Sequence, residues 1–333
     1  MRAAVVGAGA WGTALATVLA RGGGSAREVL LWAHEADVVE SINRERRNRF
    51  LPGIDLPDTL IASADLEQTV SAAELVVFAP PSHVLRALSR RVSHAIGPRA
   101  TLVVASKGIE EDTLAIMTDV VAGEVPGRPV VALSGPSFAA EVAVGQPTAV
   151  VAASRDGEAA RRTQEALSSE QFRVYTHDDV TGVELGGSLK NVMAVATGIA
   201  EGVGLGYNSR AGLITRGLAE MTRLGVALGA RPETFAGLAG LGDLVLTCTG
   251  SLSRNLALGV ALGQGRSLSD ALAGKDTVAE GVRTTRSASA LARRERVDMP
   301  IVTAVHRILF DGEAPRAAIS ALMARELRAE QDE

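Results

Sequence analysis

Cysteine is almost absent from this 333-residue sequence, where it occurs once, as Cys248. A single cysteine excludes a framework of disulfide bonds within the chain. Histidine is also scarce, and because its five occurrences are scattered we predict neither a structural zinc site nor any other metal site. Cys248 ends the mainly apolar segment 244–248, so we interpret it as a buried thiol and not as a nucleophile.

Long apolar runs and an excess of one charge are missing as well. No uninterrupted apolar run reaches about 18 residues, so we expect no membrane-spanning helix. The 34 basic and 38 acidic residues give a net charge of −4, which disfavours nucleic acid as a partner and requires any anion site to be local. Residues 1–7 lead directly into an apolar strand and a glycine motif, so we expect no signal peptide and a cytoplasmic location.

A glycine motif stands at the start of the sequence. Residues 3–6 are apolar and typical of a buried strand, Gly7, Gly9 and Gly12 form the pattern G-x-G-x-x-G, and residues 13–20 open as a helix. In this order the first glycine permits a tight turn, the second allows a pyrophosphate to approach, and the third allows the helix to pack on the strand. We therefore predict a dinucleotide site here.

The end of the second predicted strand, 29–32, bears on cofactor choice. NAD-specific proteins usually place an acid there for the ribose 2′-hydroxyl, but this sequence has His34, with Glu35 one place later. Four arginines follow on the next segment, namely Arg44, Arg46, Arg47 and Arg49. The pattern favours NADPH over NADH, with both expected to be used, although most of these arginines are also typical of a solvated helix face.

Further apolar strands at 75–79, 101–105 and 130–133 are each followed by a polar loop. Such strands, separated by helical segments, predict a parallel sheet with helices on both faces and ligands beyond the carboxyl ends of the strands. The loops 80–83, 106–108 and 134–137 should therefore gather at one edge. We interpret Lys107 as a ligand contact, because Gly108 indicates close backbone approach. We interpret His83 as capping or lining the following helix and not as transferring protons.

The second half of the sequence changes character. After apolar segments at 148–153 and 172–175, helical patterns follow at 189–202, 212–228, 253–262, 277–295 and 301–309. The chain is longer than the size at which a single hydrophobic core stops growing, so we predict two domains. They are an NAD(P)-binding Rossmann-type domain over 1–185 and an all-α substrate-binding domain over 186–333. No repeat of 20–50 residues and no low-complexity linker is visible.

Lys190 lies in "GGSLKNVMAVA", beside a long run of small and apolar residues. Burial lowers the proton affinity of a lysine, and enzymes bring such a group to a pKa of roughly 7–8 for general acid–base work. The alternative is a lysine that extends its charge to the surface or forms a structural bridge to Asp243. From this segment alone both interpretations stand.

A second polar cluster follows "GLGDL" in the same half. Ser253, Arg254 and Asn255 stand at a predicted helix start, where a hydroxyl, a guanidinium, an amide and free backbone N–H groups together suit a phosphate. A serine at a helix start is also the usual N-cap, which is the alternative interpretation of Ser253.

Motifs along nearly the whole sequence resemble, in order, those of the bacterial NAD(P)-dependent glycerol-3-phosphate dehydrogenases. They are "GAGAWGTALA", "ASKGIE", "SGPSFAAEV", "VELGGSLKNVMAVATGIAEGVG", "TRGLAEMTRLG", "GLAGLGDLVLTCTGSLSRN" and "VAEGVRT". The resemblance implies an oxidoreductase that uses NADP(H) and NAD(H) to interconvert dihydroxyacetone phosphate and sn-glycerol 3-phosphate for phospholipid synthesis. A homodimer is compatible with the sequence, which does not itself determine the oligomeric state.

The resemblance also implies roles for individual residues. The proton donor and acceptor of these enzymes, the lysine of "LKN", falls on Lys190. Substrate-binding positions fall on Lys107, Gly135, Ser137, Lys190, Asp243, Ser253, Arg254 and Asn255. Cofactor positions beyond the glycine turn fall on Ala10, Trp11, His34, Lys107, Ala139, Arg254, Val278 and Glu280.

Two other functions fit parts of the sequence. A β-hydroxyacid or sugar-acid dehydrogenase of similar build would also use a lysine but would bind a carboxylate, and the Ser253–Asn255 cluster argues against it. A protein that only senses NADP(H) is the other, but it would have no functional need for a buried Lys190 with Asp243.

Overall fold

The computed structural model describes residues 1–22, 28–274, 279–327 and 329–330. Within these ranges the chain begins with one mixed α/β half and continues as helices, which confirms the expected fold class. The sheet strands are β1 (Arg2–Val6), β2 (Glu28–Trp32), β3 (Leu60–Ser63), β4 (Leu75–Phe78), β5 (Thr101–Val104), β6 (Val130–Ser134), β7 (Thr148–Ala153) and β8 (Phe172–His177). Their order in the sheet is β3-β2-β1-β4-β5-β6-β7-β8.

The strands for which a parallel sheet was predicted are parallel, but the sheet continues into a strand, β7, whose direction was not predicted. β7 runs antiparallel to β6, with Leu133 opposite Ala152, while β8 is again parallel to β7. The segment 135–147 between β6 and β7 contains only a five-residue helix, which is short for the crossover that a parallel strand requires. β7 is apolar throughout, so its sequence pattern does not indicate its direction.

Helices cover both faces of the sheet, as predicted. They are α1 (Ala10–Ala20), α2 (Ala36–Glu45), α3 (Leu66–Ser71), α4 (Ser82–Val92), α5 (Met117–Glu124), α6 (Ala139–Ala143) and α7 (Gly157–Leu167). Successive side chains of a strand point to opposite faces. Accordingly Ala3 and Val5 of β1 belong to one buried cluster, and Ala4 and Val6 belong to the other.

The helical half is organised around one long helix. Its helices are α8 (Val180–Gly202), α9 (Tyr207–Ala227), α10 (Pro232–Phe235), α11 (Asp243–Thr249), α12 (Arg254–Gly263), α13 (Leu268–Leu272), α14 (Glu280–Glu295), α15 (Pro300–Phe310) and α16 (Pro315–Met323). A π-helical turn, Leu238–Gly242, leads into α11. Every residue of α8 from 182 to 200 is buried, so α8 is surrounded by its neighbours.

Helices α8 and α12 touch backbone to backbone through four glycines. A Cβ atom on Gly198 would lie 2.2 Å from the carbonyl oxygen of Leu256, and one on Gly259 would lie 2.2 Å from that of Val195. Gly202 and Gly263 repeat this contact one turn later. No side chain fits between the two helices, which fixes the start of α12 relative to the middle of α8.

In the part of the chain that the structure describes, no single helix is both long and apolar enough to cross a membrane. One bent pair, Pro232–Thr249 with Arg254–Gly263, passes that test only when its members are taken together, by length and composition.

Candidate active site

Three charged side chains meet where the sheet and the helical half adjoin. The Nζ atom of Lys190 lies 2.5 Å from Oδ1 of Asp243, and the Nζ atom of Lys107 lies 2.6 Å from Oδ2. Asp243 is fully buried, and the Lys190 side chain is 11% exposed. One carboxylate thus binds two lysines, so this cluster bears a net positive charge when both amines are protonated.

Burial determines the proton affinity of Lys190. Removal from water lowers the pKa of its amino group from 10.5 to about 8; the attraction of Asp243 opposes this shift, and the repulsion of Lys107 adds to it. Two glycines one turn before Lys190 allow α8 to pack closely against the neighbouring elements. A Cβ on Gly186 would lie 2.5 Å from the Ala239 carbonyl oxygen, and one on Gly187 would lie 2.3 Å from Oγ of Ser134.

The π-helical turn places Asp243. The N–H group of Gly242 donates to the carbonyl oxygen of Gly237 at 3.1 Å, five residues back, and Asp243 then begins α11. Such turns insert one residue into a helix and are frequent at functional sites. Thr247, one turn along α11, donates to the backbone oxygen of Asp243 at 2.6 Å and lies 3.4 Å from its Oδ1.

The three polar loops that follow β4, β5 and β6 gather at one edge of the sheet, as predicted. The Ser106 hydroxyl donates to the Pro80 carbonyl oxygen at 2.5 Å, and Lys107 donates to that of Gly135 at 3.2 Å. Gly108 permits a close backbone approach, because a Cβ there would lie 2.7 Å from that of Ser82. Ser137 follows, with its hydroxyl donating to Gly135 at 3.0 Å.

The start of α12 supplies a cation. Arg254 is exposed, and among the described residues it has neither a hydrogen bond nor an ion pair, although the Glu280 carboxylate lies near enough to attract it. Ser253 is the N-cap of α12, its Oγ accepting from the N–H group of Leu256 at 3.2 Å. The alternative interpretation, that Ser253 is an N-cap, is therefore correct for the acceptor function of its Oγ. The Arg254 side chain remains available to a ligand.

Asn255 joins α12 to two neighbouring helices. Its amide donates to Oδ1 of Asn191 at 2.9 Å, and its own Oδ1 accepts from the N–H group of Gly281 at 3.0 Å. Asn191 follows Lys190 in α8, so these bonds link the start of α12 to the helix that holds the lysine. Asn255 is buried with both amide atoms occupied, which indicates a positioning role.

Glu280, at the start of α14, connects the helical half to the sheet half. Its carboxylate accepts from the backbone N–H of Ser82 at 3.1 Å and from the Ser82 hydroxyl at 2.7 Å. Ser82 begins α4, which has no side-chain cap of its own, so Glu280 caps that helix from the opposite half. Val278, also predicted at the cofactor, lies outside the described residues.

The glycine turn has the form that a dinucleotide requires. Gly7 has a φ of +114°, and a Cβ on Gly12 would lie 1.9 Å from the Gly7 carbonyl oxygen, so neither position accepts a side chain. Beside Gly9 there is no atom within 4 Å of such a Cβ, and α1 has no side-chain cap on its first N–H groups. Space and free donors at a helix start suit a pyrophosphate. The Trp11 indole N–H is buried and unpartnered.

The remaining predicted cofactor positions lie around this turn. Ala10 begins α1, Ala139 begins α6, and His34 is exposed just beyond the end of β2, its ring 6.1 Å from that of Trp32. Ala10 and Ala139 have no polar side-chain atom, and the His34 side chain makes no hydrogen bond to a described residue, so their roles at the cofactor stay predictions.

Three residues of the site were missed from the sequence: Ser82, Asn191 and Thr247. Thr247 lies four residues after Asp243, and this helical spacing was a usable signal. The loop 80–83, which contains Ser82, was predicted at this edge, but the partners of Ser82 and Asn191 are 198 and 64 residues away, so no local pattern indicated these hydrogen bonds. Cys248 is buried, and burial raises the pKa of its thiol to about 11, which agrees with the expected inert thiol.

Comparisons with known families match both halves of the chain. A family model described as NAD-dependent glycerol-3-phosphate dehydrogenase N-terminus matches residues 2–160, and its C-terminus counterpart matches residues 179–320. A glycerol-3-phosphate dehydrogenase [NAD(P)+] of Geobacter sulfurreducens is 52% identical over 333 residues, covering 99% of this chain and 98% of the relative. One from Koribacter versatilis is 52% identical over 329 residues, covering 97% of each.

Solved structures of glycerol-3-phosphate dehydrogenases resemble this chain as well. A glycerol-3-phosphate dehydrogenase from Coxiella burnetii superposes with a TM-score of 0.93 at 42% identity, covering 97% of this chain and 99% of that one. The yeast glycerol-3-phosphate dehydrogenase from Saccharomyces cerevisiae gives a TM-score of 0.82 at 27% identity, covering 96% and 98%.

Proposed function

The chain belongs to the NAD-dependent glycerol-3-phosphate dehydrogenase family, and from this premise we propose that Lys190 is the general acid and base of its reaction. The protein is an NAD(P)-dependent oxidoreductase that reduces dihydroxyacetone phosphate reversibly to sn-glycerol 3-phosphate. The bridge to Asp243 that the alternative interpretation of Lys190 required is present, and the observation that supports a catalytic role beside it is that the same buried carboxylate also binds Lys107.

Reduction of a ketone needs a hydride at carbon and a proton at oxygen. A bound nicotinamide cofactor supplies the hydride. Lys190 in its charged form donates the proton to the ketone oxygen, becomes neutral, and regains a proton from solvent; in the oxidation it accepts the proton instead. A pKa of about 8 suits both directions, because both forms of the amine are populated near neutral pH.

Asp243 and Lys107 prepare this exchange. Asp243 holds both amino groups, which limits their rotation and orients Lys190. Lys107 contributes a second positive charge that favours the neutral form of Lys190 and attracts an anionic substrate. In this proposal Lys107, Gly135 and Ser137 contact the substrate beside Lys190.

Arg254 binds the substrate phosphate in this proposal. Its guanidinium is available, its fork matches phosphate oxygens, and it stands at the start of α12, where the N–H groups also favour an anion. Phosphate binding far from the reacting carbon then orients the ketone toward Lys190. Ser253 and Asn255 fix the geometry of this end of α12.

NAD and NADP are both used. The residues proposed to hold the cofactor are those of the glycine turn (Gly7, Gly9, Ala10, Trp11 and Gly12) together with His34, Lys107, Ala139, Arg254, Val278 and Glu280. The open space at Gly9, the uncapped start of α1 and the unpartnered Trp11 indole support this assignment.

We also propose that the domains extend over residues 1–185 and 186–333. The product serves glycerophospholipid synthesis, the protein acts in the cytoplasm, and it assembles as a homodimer.

The decisive experiment compares two ketones. We expect rapid NADPH oxidation with dihydroxyacetone phosphate and at least about tenfold lower kcat/KM with unphosphorylated dihydroxyacetone, since tenfold corresponds to one lost contact of moderate strength. The Arg254→Ala variant should narrow that difference. Equal rates with both ketones in the unmodified protein would remove the phosphate assignment.

A further inference from the structure

Of the four arginines that follow strand β2, three are held at the far side of the sheet or on an outer helix face. Arg46 and Arg47 pair with acids in the loop that precedes β3, and Arg46 also donates to the carbonyl oxygen of Leu60. Leu60 begins β3, which runs parallel to β2, so it lies at the edge opposite to the end of β2. Arg44 pairs with Glu40 on α2.

Arg49 lies elsewhere. The preceding residue, Asn48, is 2% exposed and donates to both the Ala8 carbonyl oxygen and the Thr13 hydroxyl at 2.8 Å. This anchors the segment to the glycine turn. Arg49 then forms an ion pair with Asp37, in the first turn of α2 and three residues beyond His34. These two attachments hold the Arg49 guanidinium beside the crevice between the glycine turn and the end of β2.

This ion pair is easily exchanged. The side chains of Arg49 and Asp37 are 48% and 66% exposed, and such solvated pairs contribute little to stability. A phosphate monoester offers nearly twice the charge of a carboxylate and more acceptor oxygens for the guanidinium fork. The Phe50 ring, 4.8 Å below the guanidinium, supports it in place. A 2′-phosphate in this crevice should therefore displace Asp37.

We propose that Arg49 is the residue that recognises the 2′-phosphate of NADP(H), and that Asp37 holds it in position when that phosphate is absent. This rests on the proposed dinucleotide site at the glycine turn. It explains how an enzyme without an acid at position 34 can use both cofactors. With NADH, the Asp37 carboxylate neutralises Arg49, and with NADPH, the 2′-phosphate replaces that carboxylate as the partner of Arg49.

Calorimetric titration with 2′,5′-ADP and 5′-ADP tests this without turnover. The Arg49→Gln variant should bind 2′,5′-ADP about 10–100-fold more weakly, as expected for a lost charge-assisted contact, and bind 5′-ADP about equally well. Asp37→Asn should bind 2′,5′-ADP more tightly. Arg44→Gln and Arg47→Gln, which remove the same charge from the same segment, serve as matched controls and should leave both affinities within about twofold. The ratio of kcat/KM for NADPH to that for NADH should follow the nucleotide affinities.

The titrations test the role of Arg49 separately from the dinucleotide site at the glycine turn. If both nucleotides bind and Arg49→Gln leaves their affinity ratio unchanged, Arg49 is not the determinant, while the dinucleotide site stands. An equal loss in Arg47→Gln would also overturn the proposal, because it would indicate a general charge effect. If the unmodified protein binds neither nucleotide, the dinucleotide site itself is wrong. Because Arg49 is exposed, all variants should keep the melting temperature of the unmodified protein.

Discussion

Lys107 and Lys190 bind opposite oxygens of the same buried carboxylate, at 2.6 and 2.5 Å. Lys107 comes from the loop after β5 and Lys190 from the middle of α8, so Asp243 joins the sheet half to the helical half at the reacting centre. The arrangement requires the carboxylate, because two ammonium groups this close would otherwise repel each other.

Replacing Lys190 by alanine should lower kcat by about 10²–10⁴, the usual contribution of a general acid. NADPH affinity should change little, and quenching of tryptophan fluorescence measures it because Trp11 lies in the glycine turn. Lys190→Arg keeps the charge but cannot release a proton near neutral pH, so it should be similarly slow. Near-native kcat in either variant would contradict the proton-transfer role.

The pH dependence of kcat should have opposite signs in the two directions. Ketone reduction needs protonated Lys190, so its kcat should fall as pH rises through about 8, and alcohol oxidation should accelerate over the same range. In Asp243→Asn the attraction that favours the charged amine is lost, so both profiles should move to lower pH. Glu111→Gln, which removes outer ion pairs with Arg283 and Arg286, is the control and should leave the profiles in place. Unshifted profiles in Asp243→Asn would exclude the electrostatic role of that carboxylate.

Arg254→Lys should reduce kcat/KM for dihydroxyacetone phosphate clearly, and Arg254→Ala should reduce it further, by roughly 2–5 kcal/mol in transition-state binding. Melting temperatures should stay constant, since the structure gives Arg254 no partner among the described residues. Arg266→Ala, an exposed arginine just after α12, is the matched control. Lost stability with retained kcat/KM would indicate a structural bridge instead.

Gly259→Ala should destabilise the protein by about 1–3 kcal/mol or more, because the new methyl group would lie 2.2 Å from a backbone oxygen of α8 and force the helices apart. Gly212→Ala is the control: it lies inside α9 with no atom within 4 Å of the added group, and should be neutral or stabilise by up to about 1 kcal/mol. Denaturant unfolding measures both. Equal effects in the two variants would disprove the close contact.

The stability of the protein should fall between about pH 5 and 8, and Glu184 should cause part of that decline. Burial raises the pKa of the Glu184 carboxyl from 4.5 to about 8, although the amide and hydroxyl of Thr118 oppose the shift. In this range the folded state therefore holds a proton that the unfolded chain has released, and stability decreases with pH by at most about 1.4 kcal/mol per unit for one group.

Glu184→Gln should flatten this dependence, as measured by the free energy of unfolding at several pH values. Glu220, whose pKa burial raises to about 7, should leave a remaining slope in that variant. Identical slopes in the variant and the unmodified protein would show that Glu184 titrates normally in the folded state.

Much of the sheet half could be predicted from sequence because its signals are local. Apolar strands followed by polar loops indicated which loops gather around Lys107, and the glycine spacing indicated the turn at Gly7. Strand β3 was missed because it has four residues at the edge of the sheet, and the direction of β7 was not predicted because an apolar strand has the same pattern either way.

The site itself was only partly predictable. A bridge between Lys190 and Asp243 was one of the two interpretations of Lys190. That Lys107, 136 residues from Asp243 along the chain, binds the same carboxylate was not predicted, because no local pattern indicates a contact over that separation. Likewise the sequence "SRN" predicted that Ser253, Arg254 and Asn255 all bind a phosphate. In the structure Ser253 caps the helix and Asn255 binds other helices, so only Arg254 keeps a free side chain.

Helix α8 also has a consequence for how such enzymes can be recombined. Its first half contacts the sheet half through Glu184, Gly187 and Ser188, the last donating to the Gly108 carbonyl oxygen at 3.1 Å, while its second half is matched by glycines to α12. Exchanging either half of the chain with that of a relative would therefore pair surfaces that were never selected together. We therefore expect chimeras to need compensating changes along α8.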